Sequence, residues 1–218
     1  MSRLIYIGGR KGGTTKTTSS HLLCLGAILR GEPAAYVLTD PTRQVKSEGR
    51  PYGVLDGRDP RRLAQIINAN RDSMNGWLMI DGGGNRPEFD KQLCELADLC
   101  LLPFRPSEED LDTVSQDLTN LPGALAWPSA WPTNRHAEAA ARFYIDGLKK
   151  AFDQRLIDEP IYFVNSAAEL LGATLDSPST PVRNAARRAF DVLSSVYEQR
   201  QQLSLASHRP EPAHAKAA

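Results

Sequence analysis

Apolar positions along this chain alternate between short runs and helical stripes. Leu4, Ile5, Tyr6 and Ile7 form a β-rich run, and Leu22, Leu23, Leu25, Ile28 and Leu29 then recur at helical spacing. The spacing predicts a helix over Thr17 to Arg30, stopped by Gly31-Glu32-Pro33. Ala34 to Thr39 reads as a second buried strand, ending on Asp40-Pro41, and the polar, glycine-bearing stretch Arg43 to Arg58 as a mobile loop or irregular excursion. A helix follows over Pro60 to Asn70, with Asp59 as its cap and Leu63, Ile66 and Ile67 facing inward. Trp77 to Ile80 is an apolar strand running into Asp81 and then Gly82, Gly83 and Gly84.

The second half continues the alternation. Pro87 to Ala97 reads as a helix and Asp98 to Pro103 as an all-apolar strand. Ser107 caps the next helix, with Asp110 at the capping-box position. Between Leu121 and Asn134, Pro122, Pro128 and Pro132 disfavour an ordinary central strand. An insertion whose Trp127 and Trp131 pack on the core or on a partner is therefore the alternative to a strand there. Ala137 to Phe152 is an amphipathic helix with Phe143, Leu148 and Phe152 expected inward, and Pro160 to Asn165 is the expected last strand. Thr180 to Gln201 is the terminal helix, with Pro181 in its first turn and Val182, Ala186, Phe190, Leu193 and Val196 on its apolar side. Residues 203–218 read as a disordered tail and 1–202 as a single domain. Six parallel or mostly parallel strands alternating with helices make a doubly wound α/β fold.

Composition narrows the function classes. A chain of 218 residues with 41% hydrophobic residues can bury a substantial core. Its 26 basic and 26 acidic residues cancel, so any nucleic-acid contact must come from a local basic face. No apolar run approaches the ~20 residues that span a bilayer, so the expected location is the cytoplasm, with no membrane partner. Cys24, Cys94 and Cys100 are isolated in apolar surroundings and read as buried thiols.

The chemistry sits between the first strand and the first helix. Strand, glycine loop, lysine with hydroxyl, then helix is the layout of a phosphate-binding P-loop. Glycines let successive backbone N–H groups point at phosphate oxygens, and the helix N-terminus adds partial positive charge. Lys16 suits β/γ-phosphate charge and the Thr17 hydroxyl suits Mg²⁺. The usual G-x-x-x-x-G-K-[ST] spelling is absent, because Arg10 and Thr15 occupy its two glycine positions. Asp81, at the end of an apolar strand, has the form of a second Mg²⁺ group, acting through a water. Asp40 ends a strand where ligands bind in open α/β sheets, or else closes an Asx turn before Pro41.

Lys11-Gly12-Gly13-Thr14-Thr15-Lys16-Thr17 resembles the K-G-G-x-x-K-[ST] loop of the ParA/MinD family of deviant Walker A ATPases. The likeness extends from residue 3 to about 120 and includes the Ala97 to Ser107 wording. It departs at Leu38 and Thr42, where the family's D-x-D-P-Q has an aspartate and a glutamine. What the resemblance implies is ATP/ADP with Mg²⁺ as cofactors, the nucleotide held by Gly12, Gly13, Thr14, Thr15, Lys16, Thr17 and Thr18. Asn134 would contact the adenine, and a further base-contacting loop would follow Asn165. Metal roles fall to Thr17, Asp40 and Asp81, and Gly82 to Gly84 match the switch region. Catalytic roles fall to Lys11, Lys16 and Asp40, with Lys11 reaching across an ATP-bound homodimer. Non-specific DNA binding near the C-terminus would use Arg183, Arg187 and Arg188, if those arginines are not simply a solvated face. A small adaptor or centromere-binding protein would stimulate a slow hydrolysis, serving partition of a plasmid or chromosome region on the nucleoid.

The sequence also admits other readings. One is a ParA-like positioner of a non-DNA cargo. A second is a nucleotide switch that hydrolyses weakly, given Thr15 and Leu38. A metabolic P-loop enzyme is disfavoured by Lys11.

Overall fold

The computed structural model describes residues 2–13, 15–73 and 75–207. Thr14 and the tail residues 208–218 lie outside the described residues. Six strands form one parallel sheet among them: β1 (Arg3–Ile7), β2 (Ala34–Leu38), β3 (Gly53–Asp56), β4 (Trp77–Asp81), β5 (Leu99–Phe104) and β6 (Ala124–Pro128). Their order across the sheet is β3-β2-β4-β1-β5-β6. Helices α1 (Lys16–Leu29), α2 (Pro60–Ser73), α3 (Pro87–Leu96), α4 (Glu108–Asn120), α5 (Arg135–Phe152) and α6 (Thr180–Ser207) cover both faces.

Strand alternation explains the two layers, since successive side chains leave opposite faces. Ile5, Ile7, Tyr36, Leu38, Trp77 and Met79 pack with α1 and α6 on one face. Leu4, Tyr6, Val37, Leu78 and Ile80 pack on the other with Leu63, Leu93, Val114 and Leu148 from α2, α3, α4 and α5. Because both faces are buried, the strands read as unbroken apolar runs. Gly26 lets α1 and α6 meet, since a Cβ there would lie 2.2 Å from the Ala186 carbonyl oxygen. Cys24, Cys94 and Cys100 are free and buried.

Several expectations need correction. The stretch Arg43 to Arg58 contributes β3, paired to β2 from Ala35↔Gly53 to Leu38↔Asp56. With only four residues at the sheet edge and one face exposed, it lacks the apolar signature of its neighbours. The loop before it is pinned: buried Arg50 donates through Nη2 to the Leu170 carbonyl at 2.8 Å, and Lys46 donates to the Leu171 carbonyl at 2.7 Å.

The proline-rich stretch contains β6, and Trp127 is fully buried. Pro128 is tolerated because it ends an outer strand, where its missing N–H breaks no central ladder. Residues 160–165 form no strand. They run beside β6 through Ile161 N–H to the Pro128 carbonyl (2.9 Å) and Phe163 N–H to the Trp131 carbonyl (2.8 Å), leaving one isolated bridge, Trp131↔Tyr162. The pairing that Ile157 N–H begins at the Ala126 carbonyl is interrupted by the bend at Asp158 and Glu159 before Ile161 resumes it. Phe143 points outward and is 76% exposed. The buried stripe of α5 is Ala141, Ile145, Leu148 and Phe152, and Phe143 lies about 200° round the helix from Ala141. Helix α6 continues through Ser207, beyond the predicted end at Gln201.

Candidate functional site

Sheet register brings the expected site together at the carboxyl ends of three adjacent strands. Ile7 pairs with Asp81, and Asp81 pairs with Leu38 on its other side. The loop after β1, the Asp40 turn after β2 and the glycines after β4 therefore share one rim, where open α/β sheets bind ligands. Gly9 (φ 120°), Gly13 (φ 78°) and Thr15 (φ 70°) give the first loop its bends. Thr15 is the anomaly, a β-branched residue in the left-handed region. Its hydroxyl bonds the buried Ser129 hydroxyl at 2.6 Å, which helps to hold it there. Gly84 and Asn85 close on the loop as well, through Asn85 N–H to the Arg10 carbonyl at 3.2 Å.

Helix α4 clamps the outer half of the loop. Asp117 accepts from Arg10 Nε (2.5 Å) and from its N–H (3.1 Å). Lys11 Nζ pairs with Asp110 Oδ1 and lies 2.9 Å from Glu109. Asp110 and Asp117 are seven residues apart, two helical turns, so both face the loop. That spacing was visible in the sequence but had no partner assigned to it. Asp110 also accepts from the Arg105 N–H at 3.0 Å, while Ser107 caps α4 by accepting from the Asp110 N–H at 3.4 Å. The Lys11 ammonium is pushed up by its hydrogen bond to Asp110, against a smaller opposing effect of desolvation.

Lys16 lies inside the loop, only 7% exposed, and donates to the Lys11 carbonyl at 2.6 Å. Burial lowers its pKa, while Asp81, Asp90 and Asp117 oppose that shift. Asp81 is 1% exposed, and burial raises its pKa despite nearby Tyr36, Thr17, Arg43 and Lys16. Its Oδ2 accepts from the Tyr36 hydroxyl at 2.7 Å. Its Oδ1 is buried with no hydrogen-bond partner among the described residues, and the Thr17 hydroxyl near the carboxylate favours the charged form. A buried, orphaned carboxylate oxygen beside a hydroxyl is a donor pair that suits a hard cation.

Asp40 sits at the same rim but is engaged locally. Its Oδ1 accepts from the Thr42 N–H (2.9 Å) and hydroxyl (2.7 Å), and its Oδ2 faces Arg43 Nε at 3.4 Å. Burial pushes its pKa up, but the Thr42 hydrogen bonds with Arg43 and Arg86 outweigh it and leave it lowered. Arg43 was not singled out by sequence, yet its Nη1 donates to the Thr17 hydroxyl at 2.6 Å.

Beyond Thr15 and Thr18 a cavity of about 500 Å³ opens, lined among others by Leu22, Ser129, Ala130, Tyr162 and Asn165. Asn134 does not line it. Its side-chain oxygen caps α5, accepting from the His136 (3.0 Å) and Ala137 (3.4 Å) N–H groups. The arginines of α6 are spread in character. Arg183 is exposed, Arg187 faces Asn184 at 3.4 Å, and Arg188 pairs with Glu159 at 2.6 Å while lying over the Tyr162 ring.

No protein-family model and no curated protein matches the sequence. Solved structures do. Apo McdA from Cyanothece superposes with a TM-score of 0.67 at 14% identity, over 88% of this chain and 100% of that one. Cobyrinic acid a,c-diamide synthase from Mycobacterium smegmatis, with bound ADP and magnesium, gives 0.64 at 14% identity over 91% and 96%. The pNOB8 ParA bound to nonspecific DNA gives 0.56 at 12% identity over 96% and 100%. No helix among the described residues is long and apolar enough to cross a membrane. The chain thus has the fold of the ParA/MinD-type P-loop ATPases.

Proposed function

We propose that this protein is a ParA-like ATPase that uses nucleotide state as a switch. The carrying observation is the K-G-G-x-x-K-[ST] loop at the rim of the central strand, with buried Asp81 Oδ1 orphaned beside Thr17. ATP phosphates are held by the backbone of Gly12 and Gly13, by Lys16 and by the first turn of α1 with Thr17 and Thr18; Thr14 and Thr15 complete the loop. Thr17 and Asp81, with Asp40 beside them, would hold Mg²⁺, which would supply positive charge against the nucleotide phosphates. The base is assigned to the side of the loop where the cavity beyond Thr18 opens. Asn134 lies outside that cavity's lining and uses its side-chain oxygen as a helix cap, so the base contact is assigned to the cavity's own residues in place of Asn134. Lys11 serves a second copy of the chain in an ATP-bound homodimer.

Fold alone does not choose between functions. The same architecture serves a diamide synthase as well as a DNA-bound ParA. Lys11, an extra lysine that an ordinary P-loop lacks, favours the dimerising switch. In this reading the ATP-bound dimer binds duplex DNA non-specifically, with Arg183, Arg187 and Arg188 as candidates, and a small adaptor protein stimulates slow hydrolysis to release it. Plasmid or chromosome partition is the assigned cargo role. The test is duplex retention measured with ATP, with ADP and without nucleotide at stated salt. Retention with ATP alone, weakened steeply by salt, supports the reading. Equal retention in all three arms contradicts nucleotide-gated DNA binding, and absent retention in all three contradicts DNA binding itself.

A second reading, a switch that hydrolyses ATP poorly, is favoured by two observations. Thr15 holds a left-handed conformation next to Lys16, and Asp40 is already engaged by Thr42 and Arg43.

A further inference from the structure

Arg43 contacts the groups proposed to hold Mg²⁺. Its Nη1 donates to the Thr17 hydroxyl at 2.6 Å, and its Nε faces Asp40 Oδ2 at 3.4 Å. Its charge also favours the ionised form of Asp81. One guanidinium therefore touches two of the three groups assigned to the metal and acts on the third through space. The placement is built rather than casual. The Arg43 carbonyl accepts from Arg58 Nη1 at 3.1 Å, and the Arg58 fork is itself held by Asp56 at 2.8 and 2.7 Å. Thr42 shapes the turn by donating twice to Asp40.

The chemistry of the group defines what it does. A guanidinium is permanently charged and donates only, so it uses the Thr17 oxygen as an acceptor, in competition with a cation that would use it as a ligand. It is also free to leave. The Arg43 side chain is 48% exposed, so swinging into solvent forfeits little burial.

We propose that Arg43 is a tethered counter-cation of the metal position. In the nucleotide-free chain it stands in for Mg²⁺ at Thr17 and Asp40, and it leaves Thr17 when a Mg²⁺–nucleotide seats. This rests on the nucleotide reading above. Two consequences follow. Without metal, Arg43 supplies positive charge to the phosphates, so metal-free nucleotide still binds. With metal, Mg²⁺ gains less than at a site without the arginine, because it must displace a cation already there.

The test is calorimetric titration of ADP into the full chain, in EDTA and in saturating Mg²⁺, for the wild type, Arg43→Gln and Arg43→Lys. ADP keeps hydrolysis out of the readout. The expected result is that Arg43→Gln lowers metal-free affinity about tenfold and raises the ratio of Mg²⁺ to metal-free affinity by a similar factor. Arg43→Lys falls between, keeping charge without the fork. An unchanged ratio in Arg43→Gln, with wild-type melting behaviour, overturns the proposal. No ADP binding by any of the three proteins in either condition overturns the nucleotide reading itself, a result distinct from an unchanged ratio.

Discussion

Lys11 of the glycine loop and Asp110 of α4 are ion-paired within a single chain, and the Asp110 side chain is only 5% exposed. A lysine that is to serve a second subunit must first leave this carboxylate and the neighbouring Glu109. Lys11→Ala should therefore do two things. It should abolish ATP-dependent dimers in analytical ultracentrifugation while keeping monomeric nucleotide affinity within about threefold. It should also lower the melting temperature, because Asp110 loses its counter-ion in a buried place. Dimers that persist with ATP in this variant contradict the role given to Lys11.

Thr15 at φ 70° invites a comparison of two substitutions. Both Thr15→Ala and Thr15→Gly remove the hydroxyl bond to Ser129, but only glycine relieves the left-handed strain. Thr15→Gly should be more stable than Thr15→Ala by about 1 kcal/mol in urea unfolding. Equal stabilities would mean that the loop relaxes around either residue. If Thr15 also slows the chemistry beside Lys16, steady-state ATP turnover rises in the glycine variant.

His21 gives a pH signature. It is buried on α1, stacks on Tyr36 at 4.0 Å and shares a 2.9 Å hydrogen bond with the Tyr52 hydroxyl. Burial first, then Arg50, Arg43 and Lys46, lower its pKa from 6.5 to about 3. Between pH 6.5 and about 3 the folded chain therefore keeps His21 neutral while the unfolded chain protonates it. Its contribution to stability is fully present above pH 6.5 and is lost as pH falls toward 3, by up to about 1.4 kcal/mol per pH unit. His21→Gln should flatten stability against pH between 6.5 and 4 relative to the wild type. Parallel curves would show that His21 protonates freely in the folded state.

The legible parts of the chain were those that local chemistry decides. Runs such as Trp77 to Asp81 are buried on both faces and announce themselves as strands, and Ser107 and Asp59 cap α4 and α2 with the residue types expected there. Tertiary pairing decided the rest. Strand β3 is four residues at an edge, visible only through its partner β2. Phe143 looked like core by type but sits off the buried stripe of α5. At the site, the loop and Asp81 could be read from spacing, whereas Arg43, Asp110 and Asp117 could not. Their roles come from contacts 26, 99 and 107 residues away in sequence.

The proposed function stands or falls on whether the loop from Lys11 to Thr17 holds nucleotide phosphates. Direct titration of ATP into the wild type and Lys16→Ala, with Mg²⁺, tests it. The expected result is saturable one-to-one binding by the wild type and a loss of about tenfold or more in affinity for the variant, with its fold intact by circular dichroism. Absence of binding by the wild type, or equal affinity in both proteins, would contradict it.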